Sequence, residues 1–216
     1  MIQDIWPKHL DNQYKNHKPD NEDTVYYFQG SSLLARPSGH FNSQNPEENV
    51  LIYPQYDEFV QGIKSSYGDK AVDNFEFIYL LSIDEEHFFL ARKTGSLERG
   101  TFLGEMADSA VHKDMYSFDR GFEFIGVDSF RKAQPREHAY AAITAFHLYG
   151  WYRDNHICGR CGKPLKHDDK QRMLRCDCCK NMVFPKICPA VIVAVTDKDR
   201  ILLTKYAGRT YRNYAL

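Results

Sequence analysis

The chain has 216 residues, of which 43% are hydrophobic and 14% aromatic, and its formal net charge is −1 at pH 7. This composition is that of a folded protein of one or two domains and excludes a disordered chain. Because the net charge is near zero, no overall basic field points to nucleic acid or an acidic membrane as the main partner. The opening residues lack the apolar run of a signal peptide, and the longest apolar run, AVIVAV, has only strand length. We therefore expect a cytoplasmic protein without a membrane span.

The first 130 residues are predicted to be rich in β-structure, with one short helix beginning at Asp57. Runs of aromatic and β-branched residues predict strands over 24–30, 31–37, 49–54, 75–83, 87–93 and 121–127. The first two strands form a predicted hairpin at Gly30. The pair FEFIYLLSI and HFFLARK forms another, across the acidic turn at 84–86. We assign residues 1–132 to a β-rich N-terminal domain.

The hydrophobic period changes to that of a helix at Pro135. In PREHAYAAITAFHLYGW, apolar residues recur at Ala139, Ile143 and Phe146, which is helical spacing. Proline suits the first turn of a helix because its missing N–H has no partner there in any case. The sequence therefore predicts a linking helix within 133–155, running from Pro135 to about Trp151.

Five of the six cysteines are crowded just after this helix. Two Cys-x2-Cys knuckles, separated by fourteen residues, can turn four thiolates toward one point. Four thiolates in a tetrahedron are a typical ligand set of structural Zn²⁺, and they leave no open coordination position. The sequence thus predicts a zinc ribbon over 156–186 with the ligands Cys158, Cys161, Cys176 and Cys179.

Other interpretations of the cluster are weaker but stay open at this point. Disulfides are disfavoured in a reducing compartment, and a redox Cys-x-x-Cys needs only one such pair. Cys178 could replace Cys179 as a ligand, and His156 or His167 could replace a thiolate. Cys188 lies beyond the cluster and is expected to be a packed core thiol.

Residues 151–190 carry nine Lys or Arg against four Asp. Part of this positive charge compensates the thiolates, and the remaining patch could bind phosphates or RNA, although solvated basic loops are the simpler interpretation. The sequence contains no G-x4-G-K, H-E-x-x-H or G-x-S-x-G motif. We therefore assign no catalytic residue from motifs.

Two further strands are predicted after the ribbon, over 190–195 and 201–206, with a turn at 196–200 and a third strand beginning near Tyr211. A sheet of two or three strands ending at Leu216 would leave an apolar face uncovered. We expect that the sequence stops inside a larger domain; a natural edge strand is the alternative.

The segment YAAITAFHLYGWYRDNHICGRCG, with RCDCCKNMVFPKICPAVIVAV after it, resembles the NADH pyrophosphatase family of Nudix hydrolases. In that family a helix ending in tryptophan and basic residues enters a four-cysteine ribbon, and an aromatic-Pro-x-Ile-x-Pro segment leads into the first Nudix strand. Here 184–189 and 190–195 match that order. The resemblance covers roughly 135–216; the N-terminal region matches only as a β-rich domain. It implies an α+β fold of N-terminal domain, linking helix, ribbon and, over 187–216, the first strands of a Nudix α/β/α domain.

The resemblance implies hydrolysis of the diphosphate of NADH or NAD to nicotinamide mononucleotide and AMP, by a homodimer using Mg²⁺ or Mn²⁺. The glutamates that hold those ions belong to the box G-x5-E-x7-R-E-U-x-E-E-x-G-U, where U is aliphatic, and the 216 residues do not contain it. The one Arg-Glu pair, at 136–137, lacks the paired glutamates. We expect the catalytic metal site to lie beyond residue 216 and this chain alone to be inactive.

The resemblance also implies that two residues contact the substrate. Phe184 matches an aromatic residue beside the nucleotide pocket, where a ring can stack on a base, and Ile192 matches a pocket-wall position. Packing is the alternative for both residues and the stronger one for Ile192. A rival function is a non-enzymatic zinc-ribbon module that binds RNA or protein through its basic hairpin.

Overall fold

The computed structural model of the chain describes residues 5–39, 49–94, 121–130, 133–205 and 214–215. The chain divides into two compact units, Met1–Pro185 and Lys186–Leu216. Within the described residues it is a mixed α+β protein, as predicted. The domain bounds at residues 132 and 155 stay a prediction. None of the described helices combines the length and apolar character needed to cross a bilayer.

Seven strands of the described part of the first unit form one sheet in the order β1-β5-β6-β2-β3-β4, with β7 also paired to β3. The neighbours β2 and β6 are parallel, and the other pairs are antiparallel. The strands are β1 Leu10–Asp11, β2 Thr24–Gln29, β3 Ser32–Pro37, β4 Leu51–Ile52, β5 Phe75–Ile83, β6 Glu86–Lys93 and β7 Glu123–Gly126.

The predicted hairpins β2-β3 and β5-β6 are confirmed. Each turns through a residue with positive φ, +56° at Gly30 and +52° at Asp84. The strand predicted over 49–54 is shorter than expected, because β7 pairs with residues 32–35 of β3 and leaves only Arg36 and Pro37 for β4.

Two predicted helices are present, and two short helical segments were not predicted. The helix α1 spans Tyr56–Tyr67, starts with a capping box between Gln55 and Glu58, and stops at Gly68, whose φ is +83°. The linking helix α3 spans Arg136–Asp154 and follows Pro135. The additional segments are a 3-10 helix, Asp69–Asn74, and the four-residue helix α2, Val127–Phe130.

The sheet is buried on both faces. Because successive side chains of a strand point to opposite faces, Val25 and Tyr27 of β2 pack with Phe59 and Ile63 of α1. Their neighbours on the other face belong to a second core, built with α3. Members of that core include Tyr26, Phe28, Ala141, Ala142, Ala145, Tyr149 and Leu174 of the ribbon. The linking helix thus brings the cysteine segment against the sheet.

The strand predicted over 190–195 is not formed. These residues have no regular secondary structure, and among them Val191 and Ile192 are 85% and 84% exposed. A strand needs a partner for its backbone hydrogen bonds, and none pairs with this stretch among the described residues. The turn predicted over 196–200 is shorter than expected: it consists of Lys198, whose φ is +56°, and Asp199, and the other three residues belong to strands.

The described strands of the second unit form two short pairs. These are β11 Thr196–Asp197 with β12 Arg200–Ile201, and β13 Thr204–Lys205 with β14 Tyr214–Ala215. The strand predicted over 201–206 is therefore interrupted after Ile201. The strand predicted from Tyr211 is represented by β14, while residues 206–213 lie outside the described residues.

Candidate metal centre

The cysteine segment folds as a small antiparallel sheet in the order β10-β9-β8. Its strands are β8 Leu165–His167, β9 Leu174–Cys176 and β10 Met182–Val183. In the turn between β8 and β9, the carboxylate of Asp168 accepts hydrogen bonds from the backbone N–H groups of Lys170 and Gln171, at 2.9 and 3.1 Å. The two knuckles lie at the open end of this β8-β9 hairpin, so the hairpin brings them together.

The two knuckles have the same backbone arrangement. The N–H of Gly162 donates to the carbonyl of Cys158, and the N–H of Lys180 donates to the carbonyl of Cys176, both at 2.9 Å. Gly162 and Lys180 each follow the second cysteine of a knuckle, and both have positive φ, +69° and +59°. A left-handed residue at this position therefore closes each turn.

The four predicted cysteines converge on one point. Their sulfurs lie within 4.8 Å of one another, with 3.5 Å between Cys158 and Cys179 and 3.4 Å between Cys161 and Cys176. A disulfide would require about 2.0 Å. Four sulfurs about 2.3 Å from a tetrahedral zinc ion would be about 3.8 Å apart, close to the observed separations. The four cysteines are thus positioned to hold one metal ion.

Hydrogen-bond donors surround the sulfurs. Backbone N–H groups, that of Arg160 first, and hydrogen bonds from neighbouring thiols lower the pKa of the Cys158 thiol to about 6. In the other knuckle the N–H of Cys179 is the largest influence that lowers the pKa of Cys176. Backbone N–H groups also act on the Cys161 and Cys179 thiols, but hydrogen bonds to neighbouring sulfurs and burial outweigh them and raise both pKa values. The side-chain amide of Asn181 lies 3.7 Å from the sulfur of Cys158 and joins the knuckles. Donors of this kind stabilise thiolates, the form that binds a metal ion.

The other two cysteines lie outside the cluster. Cys178 is exposed and does not belong to the four-sulfur group, so it does not replace Cys179. Cys188 is also exposed. The expectation that Cys188 is a packed core thiol is therefore wrong, because the segment around it forms no strand and buries no side chain.

The two candidate histidines have other neighbours. The Nδ1 atom of His156 lies 2.7 Å from the carbonyl oxygen of Arg153, at the end of α3. The ring of His167 is half-buried and packs 5.6 Å from the ring of Tyr152. Neither histidine belongs to the group of converging ligand atoms.

The ribbon is attached to the sheet by contacts that sequence reasoning did not anticipate. Leu174 is 1% exposed in the α3 core. The guanidinium of Arg172 donates to the carbonyl of Leu80 on β5 and lies 5.9 Å from the ring centre of Tyr14. No local pattern indicates the bond to Leu80, since 92 positions separate the partners. The positive φ of Lys180 was predictable in principle, because Lys180 occupies the position in the second knuckle that Gly162 occupies in the first.

The two predicted substrate-contacting residues belong to different units. Phe184 follows β10 in the first unit and is 49% exposed, so its ring is not fully packed. Ile192 belongs to the second unit and is 84% exposed, which contradicts the expectation that it lies in a core. Their role in substrate binding stays a prediction.

The described residues do not fit a catalytic Mg²⁺ or Mn²⁺ ion. Among them the candidate metal-ligand groups are the four cysteines and one set of two histidines and an aspartate. Mg²⁺ prefers an all-oxygen, octahedral set of carboxylates, carbonyls and waters. Neither group offers such a set.

Fold and site together define a mixed α+β protein with a small ribbon whose four cysteines are positioned to hold a metal ion. No protein-family model matches the chain. It is 36% identical over 55 residues to "NAD-capped RNA hydrolase NudC" of Pseudomonas aeruginosa (strain LESB58), covering 26% of this chain and 20% of that protein. Proteins of the same name match from Salmonella typhi, 34% identical over 59 residues (27% and 23%), and Pseudomonas putida (strain W619), 38% identical over 55 residues (26% and 20%). The chain thus spans about a fifth of the length of these curated relatives.

Proposed function

We propose that these 216 residues supply the N-terminal domain and the zinc ribbon of a Nudix hydrolase that cleaves the diphosphate of NADH, NAD or an NAD-capped RNA end. The observation that carries the proposal is the convergence of four cysteine sulfurs. The similarity to hydrolases of NAD-capped RNA over about a quarter of the chain supports the substrate class. The family resemblance over 135–216 further implies a homodimer, and a cytoplasmic location would keep the four cysteines reduced.

In this proposal the zinc ion has a structural role. Four thiolates complete its coordination, so no position is left for water or substrate. Zinc joins the knuckle at the end of α3 to the knuckle after β9, and thereby holds the hairpin that buries Leu174 against the core. The ion would stabilise the ribbon and leave hydrolysis to other residues.

In this proposal, hydrolysis requires the glutamates of the Nudix box, and this sequence does not contain that box. A divalent ion that neutralises a diphosphate needs hard oxygen ligands, and the glutamates of the Nudix box are absent from the 216 residues. We therefore expect the 216-residue chain alone to be inactive and the product of the complete reading frame to be active.

Phe184 is the proposed contact to the substrate base within the first unit. Its half-exposed ring directly after β10 is free to stack on a planar base. In the complete enzyme, Phe184→Ala should raise KM several-fold with zinc content unchanged, and Phe184→Tyr should retain the wild-type KM. Met182→Ala, at a similarly exposed neighbour, is the control. An unaltered KM in Phe184→Ala would refute this role.

The experiment that tests the function measures zinc content and NADH hydrolysis side by side. The samples are the 216-residue chain and the product of the complete reading frame, each supplied with Mg²⁺ or Mn²⁺. We expect cysteine-bound zinc in both proteins and hydrolysis only in the longer one. Zinc in both without hydrolysis in either would favour the alternative, a ribbon that binds RNA or protein.

Ion pairs in the ribbon weaken one part of this alternative, RNA binding through the basic hairpin. Lys166 pairs with Asp177 at 2.6 Å, and Arg175 pairs with Asp168 at 3.3 Å. These carboxylates neutralise part of the positive charge that would attract the phosphates of RNA.

A further inference from the structure

A second group of potential metal ligands lies on the sheet, apart in sequence from the cysteines. His87 is in β6, Asp23 directly precedes β2, and His17 lies in the irregular segment before β2. The strands β2 and β6 run parallel with Thr24 opposite Phe88, so the register brings Asp23 beside His87. One ligand atom from each of the three side chains lies within 4.8 Å of the others.

The two imidazole rings are oriented by aromatic packing. Their centres are 5.1 Å apart, and both face the buried ring of Tyr79, 6.2 Å from His17 and 6.0 Å from His87. His17 also packs 6.1 Å from the buried ring of Phe89. A metal ion binds imidazole rings in their neutral form.

The carboxylate of Asp23 is held in place with one oxygen directed at His87. Its Oδ2 atom accepts the backbone N–H of Asp20 at 2.7 Å, and its Oδ1 atom lies 3.4 Å from Nδ1 of His87. Two ligand atoms at about 2.1 Å from one tetrahedral ion are about 3.4 Å apart. The separation of this pair therefore already suits a shared ion.

We propose that His17, Asp23 and His87 bind a divalent transition-metal ion of the Zn²⁺ or Co²⁺ type. Two imidazoles and one carboxylate form a set that such ions accept, and three protein ligands leave at least one position open. The ion would attach the segment around His17 to β6. Of the three residues, His17 also lines a neighbouring cavity of about 430 Å³.

Cobalt distinguishes this site from the ribbon because only thiolates give intense sulfur-to-cobalt charge-transfer absorption in the near ultraviolet. The 216-residue chain, freed of metal under reducing conditions, is titrated with Co²⁺. We expect a first equivalent with charge transfer from the four cysteines. A second equivalent should add visible ligand-field absorption without further charge transfer.

Variants assign the second equivalent to its residues. His17→Ala and His87→Ala should each weaken the second event at least tenfold and leave the first unchanged, and Asp23→Asn should weaken it to a similar degree. His147→Ala, at an exposed residue of α3, should leave both events unchanged. Because His17 is exposed, its variant is expected to fold, and an unchanged thermal unfolding transition of the metal-free sheet verifies this. A single equivalent in the wild type, or an unchanged second event in His17→Ala, overturns the proposal.

Discussion

The sheet and the ribbon are held together in different ways. In the sheet, large side chains such as Tyr26, Phe59 and Phe88 are at most 1% exposed, on both faces. In the ribbon, over 156–185, the buried side chains are Cys158, Cys176, Met173 and Leu174. A segment this small cannot build a sufficient apolar core, so we expect a metal ion held by the four sulfurs to take its place. The sheet is stabilised mainly by burial, and the ribbon is expected to be stabilised mainly by coordination.

The largest expected effect is the release of zinc on substitution of one ligand cysteine, which should unfold the ribbon and leave the sheet intact. In Cys158→Ser, one of the four converging sulfurs is lost, and we expect the cysteine-bound zinc to be released. Amides of 158–183 should then lose protection from hydrogen exchange, while those of β5 and β6 keep it. Hydrogen exchange followed by mass spectrometry makes the measurement.

The matched control is Cys178→Ser, which removes an exposed thiol outside the four-sulfur group. This variant should keep both its zinc and its protection pattern. Loss of protection in β5 and β6 along with the ribbon in Cys158→Ser would contradict the separation of the two regions.

A substitution in the core of the sheet should have the opposite effect: it should destabilise the sheet and leave zinc binding by the ribbon unchanged. Phe59 of α1 is fully buried on the face opposite α3. Phe59→Ala should lower the free energy of unfolding of the sheet by about 3–5 kcal/mol, through lost burial and the cavity left behind. Urea denaturation measures the loss, and zinc content below the transition should stay at the wild-type level. Release of zinc without urea would show that the ribbon depends on this core.

A smaller effect is expected at the turn of the first knuckle. Gly162 has φ of +69°, so Gly162→Ala should cost about 1–2 kcal/mol of backbone strain and weaken zinc binding. Competition with a chelating dye measures the affinity. Gly159→Ala, within the same knuckle but without a positive φ, is the control. Equal zinc affinities in the two variants would contradict the turn geometry.

The smallest effect concerns a partly buried ion pair that joins the N-terminal segment to α3. Lys8 lies 2.6 Å from Glu137 in the first turn of α3. Burial acts to raise the pKa of Glu137, but the hydrogen bond from Lys8, a backbone hydrogen bond and the charge of Lys8 together outweigh it, and the pKa is lowered. The stabilisation is therefore present at neutral pH and is lost as the pH falls through the folded-state pKa.

In Glu137→Gln the free energy of unfolding should drop by at most about 1 kcal/mol at pH 7. The difference from wild type should shrink as the pH falls below the ordinary carboxyl value of 4.5. Glu85→Gln, at an exposed turn residue, should show no such change. Thermal unfolding between pH 3 and pH 7 compares the three proteins, and a pH-independent difference would contradict the ion pair.

The sequence predicts well those elements that depend on local patterns, and less well those that depend on contacts between distant residues. The hairpins and both main helices follow from local patterns: period-two aromatic runs, a turn at Gly30, and the helical period after Pro135. The parallel pairing of β2 with β6 and the division of β3 between β4 and β7 do not follow from local patterns. Pairing partners depend on contacts between distant residues, which a single sequence does not encode locally.

The metal site was predictable because its signal is local spacing. Two Cys-x2-Cys knuckles identify all four ligands, whereas the bond from Arg172 to Leu80 joins distant segments and leaves no pattern. The prediction of a strand over 190–195 is wrong because strand pairing also depends on distant residues. Its apolar residues fit a strand, but a strand also needs a partner, and the described residues provide none for it.

X-ray absorption at the zinc edge tests the central claim most directly. The 216-residue chain is loaded with one equivalent of Zn²⁺ under reducing conditions, so that the four-thiolate site fills first. We predict a first shell of four sulfurs at about 2.3 Å and no nitrogen or oxygen. A first shell with two or fewer sulfurs would contradict the four-cysteine metal ribbon.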